Sequence, residues 1–409
     1  MGSLSDTKQT FFYERWRAVS SGVLETAATM FLLLIAVRWF EAGTTAKAFV
    51  ASASSFGLML TPLVVSTVAR VRIRSAQAAS LLAAAGSLSF LVMAAIPSLP
   101  VFVIGSVIGL TSISSAVPLF TQIYQENYPA KRRGHLFSRT VMLRITTAAL
   151  FSEFAGRALT NDMGSFRTLL FLFSGASALA SFCLARIPST VLSDSGGSHP
   201  FRSLRYAGED VLFRRVLISW MIMGFANLMM LPMRVEYLAN PKYGLSLSPG
   251  EIAFLVGVVP YSARLALNPV WGRLFDRMNF FVLRATLNIG FVLGIGSFFA
   301  SSSVTGLILG AIAFGASNSG SDVAWSLWVT KFAPPSRVAE YMSVHTFFTG
   351  VRGFIAPLVA FHLVEWLPLK ILSYIAIGLI LASIALLLPE IRFGRSGRKA
   401  TPLVEEIPE

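Results

Sequence analysis

Apolar runs of about 20 residues recur from one end of this chain to the other, and that is the length one α-helix needs to cross a bilayer. Twelve runs can be delimited: 17–40, 46–69, 76–96, 99–125, 136–160, 164–188, 213–238, 249–270, 281–300, 304–330, 339–364 and 367–389. Only helices and closed barrels satisfy their own backbone polar groups in lipid. Barrel strands would alternate apolar and polar residues over about ten positions, whereas these runs are continuously apolar. A signal peptide would give a single short run near the start. The expected fold is an all-α polytopic membrane protein with twelve transmembrane helices. Charge is correspondingly sparse, at 13% of the 409 residues, about half the share in soluble proteins.

The longest polar interruption, STVLSDSGGSHPFRSLRYAGEDVLFRR, falls between the sixth and seventh runs. It divides the chain six plus six. The expected organisation is an N-terminal half at 1–188, a linker at 189–212, a C-terminal half at 213–390 and a tail at 391–409. A shift of 205 residues sets Tyr128-Pro129 on Ala333-Pro334, Arg132 on Arg337, Ser138 on Ser343, Ser112 on Ser317 and Ser114 on Ser319. Ungapped matches of this kind point to two parallel six-helix pseudo-repeats, an organisation found in one class of secondary transporter.

Lys and Arg number 34. Three lie inside the runs (Arg144, Arg264 and Arg352), and seven lie at one set of loops (Arg38, Lys47, Arg157, Arg167, Arg234, Lys242 and Lys370). All the others fall at the opposite set, which includes both termini. Basic residues concentrate on the cytoplasmic side of membrane proteins. Both termini are therefore expected in the cytoplasm, in the cell inner membrane. The same bias accounts for the net charge of +14 without a nucleic-acid partner. The one cysteine, Cys183, lies in an apolar run, so disulfides are not expected. The four histidines are far apart and form no metal-ligand spacing. No myristoylation signal opens the sequence and no Walker phosphate loop occurs. No cofactor, no metal and no enzymatic activity are expected.

With six plus six helices and a central linker on the page, the stretch Gly272-Arg273-Leu274-Phe275-Asp276-Arg277 becomes informative. It is similar to the signature G-x-L-x-D-R between the second and third helices of a half in the major facilitator superfamily. The sequence NYPAKRRGHLF, with Arg133-Gly134 just before the fifth run, is a further likeness. The resemblance covers about residues 12–390. It implies that Gly272, Arg273, Asp276 and Arg277 act as a gating motif in a loop, with Asp276 against the N-terminal end of the eleventh helix. The chain also departs from the family. The 205-residue shift sets Gly272, Leu274 and Asp276 on Thr67, Ala69 and Val71, leaving only Arg277 with a basic match, in Arg72. The glycine-rich antiporter motif is missing from RTVMLRITTAALFSEFAG, and ARIPSTV replaces the sugar-porter P-E-S-P-R.

An ionisable group inside a bilayer costs about 2.5 kcal/mol or more and needs a partner or water. The candidates are Glu25, Arg144, Arg264, Asp322 and Arg352. At 1.5 Å per residue, Glu25 and Arg144 lie about 12 Å from the cytoplasmic edge, Arg264 about 9 Å, Asp322 about 13 Å and Arg352 about 20 Å. In the superfamily the first, fourth, seventh and tenth helices line the cavity and the fifth faces the eighth, which implies that the first four of these residues approach one another at one level. Burial favours a neutral carboxyl and a nearby Arg favours the ionised one, so Glu25 or Asp322 can exchange a proton as the protein rocks. A structural ion pair is the competing reading. Gln122, Asn227, Asn318 and Trp325 are added as cavity-facing candidates by the same resemblance. Polar groups on such helices also serve helix contacts. Glu153 and Arg157 read as an ordinary i,i+4 pair. Gly350, Gly353 and Pro357 read as either a gating bend or helix packing.

The function expected is a proton-coupled secondary transporter moving a small polar or anionic solute by alternating access. The alternatives are an uncoupled facilitator or exporter, and a non-transporting receptor or assembly protein on the same fold. The expected partners are the solute, protons and the lipid bilayer, with the chain itself a monomer.

Overall fold

A computed structural model of the chain describes residues 4–191, 201–331 and 338–395. Ala333, Pro334 and Arg337, used in the repeat comparison above, lie outside them. The fold is a bundle of helical rods: α1 (residues 4–38), α2 (44–71), α3 (Ser75–Ala95), α4 (99–127), α5 (Ala130–Asn161), α6 (163–185), α7 (Val211–Ala239), α8 (249–277), α9 (Phe280–Ala300), α10 (Val304–Leu327), α11 (Val338–Trp366) and α12 (Leu369–Arg395). Among the described residues, nine are long and apolar enough to cross a membrane, or ten when bent α2 is taken as one span. The two rods outside that count are α5 and α10. The first carries Arg144, Glu153 and Arg157, and the second ends in the polar run SNSGSD.

Breaks in the rods follow their sequence. Rod α2 bends by 48° just before Pro62, whose missing N–H frees a carbonyl one turn back. The Thr61 hydroxyl donates to that carbonyl, on Leu58, at 2.8 Å. Rods α1 and α8 each contain one π-helical turn, at Ala27–Phe31 and Phe254–Val258, a feature that often accompanies functional sites.

Helix pairing repeats between the halves. In the first, α1 packs on α5 and α6, α2 on α4, and α3 on α4 and α6. In the second, α7 packs on α11 and α12, α8 on α10, and α9 on α10 and α12. The same pattern recurs with every rod advanced by six, so each half is one copy of a six-helix unit. The halves meet along two seams, α2 with α11 and α5 with α8, and α1 also touches α7. Gly350 and Gly353 of α11 lie against the Met59 backbone and the Ser55 side chain of α2, and α11 runs helically through Pro357. Gly350 and Gly353 thus let α11 approach α2 closely.

Every hydrogen bond and ion pair between described residues of the two halves lies mid-bundle or at the end remote from the chain termini. Thr44 pairs with Glu365, Thr45 with His362, Lys47 with Glu236, Arg38 with the Leu247 carbonyl, and the Gly250 N–H with Thr160. Among the described residues, none joins the halves at the end carrying the termini, so the polar ties between the halves concentrate at mid-bundle and at the far end.

Two local expectations change. Rod α8 continues to Arg277, so the GRLFDR stretch is helical, and only Met278 and Asn279 turn the chain into α9. Nothing between Pro269 and Asn279 breaks a helix; Asn279 starts the next one by accepting from the Phe281 N–H at 2.9 Å. Rod α5 likewise starts at Ala130, which puts Arg133-Gly134 inside a helix.

Candidate functional site

Four of the charged candidates meet where the two halves face each other. Glu25 of α1 lies 3.1 Å from Arg144 of α5 and 2.6 Å from Arg264 of α8. Arg264 in turn lies 2.5 Å from Asp322 of α10. The result is a chain of alternating sign, Arg144–Glu25–Arg264–Asp322, with no net charge. Its link between Glu25 and Arg264 crosses from one half to the other. The inner members are mostly buried, whereas Arg144 and Asp322 at the ends are 34% and 38% exposed.

Small residues make this approach possible. A Cβ at Gly22, one turn before Glu25, would fall 2.5 Å from the Arg144 carbonyl, so α1 and α5 touch there. The π turn after Glu25 displaces a carbonyl from its usual helical partner. The Thr29 hydroxyl bonds the Glu25 carbonyl at 2.8 Å and lies 3.1 Å from the Tyr261 hydroxyl of α8, a second polar link between the halves. Ser319 of α10 donates to the Arg264 carbonyl at 3.0 Å. In a low-dielectric setting such a chain is held by mutual pairing, and removing one member leaves a stranded charge.

The other candidates do not join this group. The Arg352 guanidinium lies on the α7 backbone and donates to the Trp220 carbonyl. Trp325 sits 5.7 Å from His345, centroid to centroid. Gln122 donates to Glu126 along α4 at 2.6 Å. Asn227 and Asn318 are half-buried, and Asn227 Oδ1 has no hydrogen-bond partner among the described residues. Gly272 has open space around it. Arg273 and Arg277 are exposed and make no ion pair among the described residues, and the Asp276 side chain lies outside them. Glu153 and Arg157 form the expected pair at 2.6 Å.

Residues passed over in the sequence form two further clusters. At the end remote from the termini, Lys47 of α2 lies 2.7 Å from Glu236 of α7, and Asn240 donates to the same carboxylate oxygen at 2.7 Å. Both charges are buried. Lys47 had been counted as a loop charge, yet Glu236 is an acid within an apolar run and the membrane cost rule alone would have flagged it. Nearer the termini, Glu14, Arg17 and Tyr124 form a buried hydrogen-bonded trio between α1 and α4. Arg17 is thus no loop charge either.

No protein-family model matches the chain, and no curated protein sequence does. Solved structures do. Two crystal structures of the nucleoside transporter NupG match with TM-scores of 0.73 and 0.70 at 12% and 11% identity, over 94% and 96% of this chain and 99% and 100% of theirs. A POT family transporter in complex with a thioalcohol-conjugated peptide matches with a TM-score of 0.66 at 14% identity, over 95% of this chain and 96% of that one. The xylose transporter XylE from E. coli, in an inward-open conformation, matches with a TM-score of 0.61 at 14% identity, over 94% of both chains. The chain therefore has the major facilitator fold.

Proposed function

We propose that this chain is a secondary transporter that moves a small polar or anionic solute by alternating access, coupled to protons through the Glu25–Arg264 link. The observation that carries this reading is the four-member ion chain spanning both halves. Solved structures of this fold include a nucleoside transporter, a POT family transporter in complex with a conjugated peptide and a xylose transporter, and that likeness supports a carrier role for this chain.

In the proposed cycle the two halves rock about the central site. Among the described residues, Glu25 is the acid that touches both Arg144 and Arg264. Protonating it removes the charge that ties α1 to α8 and leaves Arg264 to Asp322, within its own half. The seams then part more easily. Deprotonation restores the link and closes them. The Lys47–Glu236 pair is the outer lock of the same cycle. By the distribution of basic residues, the end carrying the termini is taken as the cytoplasmic one, with both termini in the cytoplasm and the chain in the inner membrane.

The test is reconstitution into proteoliposomes carrying an imposed proton gradient, with uptake measured across nucleosides, sugars, peptides and small carboxylates. Gradient-dependent accumulation of one class supports the reading. Solute equilibration that ignores the gradient would leave the carrier and remove the coupling. Failure across every class with correctly folded protein would sink the transporter itself.

A further inference from the structure

Trp220, in the first half of α7, is surrounded by three basic side chains from two other rods. The Arg284 guanidinium of α9 lies 3.6 Å from the centre of its ring. Arg352 of α11 donates to its main-chain carbonyl. His345 of α11 meets the ring edge-on, with centroids 5.2 Å apart. Trp328 stacks on Trp220 at 5.2 Å and meets His345 at 5.1 Å. Arg284 is 2% exposed and His345 0%.

Among the described residues, Arg284 and Arg352 lack the anionic partners that buried guanidinium groups require, and His345 lacks the hydrogen bonds a buried imidazole requires. Arg284 Nη1, Arg352 Nε and both ring nitrogens of His345 have no hydrogen-bond partner among the described residues, and neither does the neighbouring Thr349 hydroxyl. Among the described residues, no carboxylate pairs with any of the three. The indole faces offset part of the deficit through cation–π attraction, but a buried guanidinium still favours a counter-anion. The central ion chain has no such surplus, because its two arginines are cancelled by Glu25 and Asp322. A preference for anions therefore cannot come from Arg144 and Arg264 while they are paired; it comes from the Trp220 cluster.

We propose that this cluster is an anion-binding site in the C-terminal half, with Arg284, His345 and Arg352 as donors and Trp220 and Trp328 as walls. The ligand is a compact anion, a small carboxylate or an inorganic ion. The half-buried Trp325 ring, 5.7 Å from His345, stands beside the cluster. Gly224 is part of the construction: the Arg352 guanidinium rests where a Cβ at that position would stand. The inference deepens the transport reading and rests on it for the use of the site, but binding is measured without transport.

The test uses the full chain in nanodiscs, with thermal unfolding followed against sodium succinate and, separately, sodium chloride at an ionic strength held with sodium HEPES. Saturable stabilisation is expected from at least one salt, and the two arms distinguish an organic from an inorganic ligand. Arg284→Gln, Arg352→Gln and His345→Phe each raise the midpoint concentration about tenfold, as loss of one charge-assisted bond does. Arg157→Gln, exposed at the far end, leaves it unchanged. Should Arg284→Gln fail to fold, Arg352→Gln and His345→Phe carry the same comparison. Absence of saturable stabilisation in the parent, or the same midpoint in the folded cluster variants, overturns the proposal whether or not the protein transports anything.

Discussion

Glu25 and Arg264 sit 239 residues apart in sequence, in different halves of the molecule, and are joined at 2.6 Å. Each also has a second partner within its own half: Arg144 for Glu25 and Asp322 for Arg264. A bond that crosses the halves, with a fallback partner on each side, can break and re-form without stranding a charge.

From this follows the first expectation. Glu25→Gln and Asp322→Asn abolish gradient-driven accumulation while solute exchange continues, measured in proteoliposomes with and without internal solute. Normal accumulation by both variants would falsify the proton relay.

The Lys47–Glu236 pair gives a second. Breaking it from one side, by Lys47→Met or Glu236→Gln, leaves an unpaired buried group and costs about 3–5 kcal/mol, read as a lowered Tm. Neutralising both costs less, and it weakens the tie between the halves at that end. Ser55→Cys, on the α2–α11 seam, then labels faster with a membrane-impermeant thiol reagent in a Cys183→Ser background. Labelling that stays at the parental rate in the double variant shows that the pair does not hold this end closed.

Gly224 and Arg352 form a steric couple. Gly224→Ala is expected to cost about 1–3 kcal/mol by overpacking. The cost should shrink when Arg352→Met is present, since the two side chains compete for one space. Additive losses in thermal unfolding would show that the damage arises elsewhere.

For the helical GRLFDR stretch, the exposed Arg273 and Arg277 make no ion pair among the described residues. Replacing either by Gln should change stability by no more than about 0.5 kcal/mol. Asp276→Asn separates gating from topology: impaired turnover at normal expression is expected, assayed as initial uptake rate per inserted protein. Unchanged turnover leaves the stretch with a topological role only.

Much of the architecture was legible in the chain because lipid makes strict demands. A segment that crosses it has to be about 20 apolar residues long and helical, so most rods could be placed to within a few residues, while α1, α5 and α8 extend into polar sequence well beyond their apolar runs. Rods α5 and α10 departed from the apolar rule, and those two carry Arg144 and Asp322. The same cost rule picked out the members of the ion chain, since charges in apolar runs are few. It would have found Glu236 had the rule been applied to every acid. It could not find Arg17, Lys47 or Arg284, which stand near run edges where Lys and Arg cost little and normally signal topology. Nor could it separate Arg264, paired with two acids, from Arg352, paired with none.

Periodicity and composition thus determined the element type, the six-plus-six division and a short roll of unusual charges, because those depend on each residue's own transfer from water to lipid. Which charges cancel and which remain in surplus was decided only by tertiary contacts. Helix rotation and close approach at glycines such as Gly22 and Gly224 set those contacts to within an ångström. Coulombic pairing inside a low dielectric depends on that distance, and spacing along the chain does not contain it.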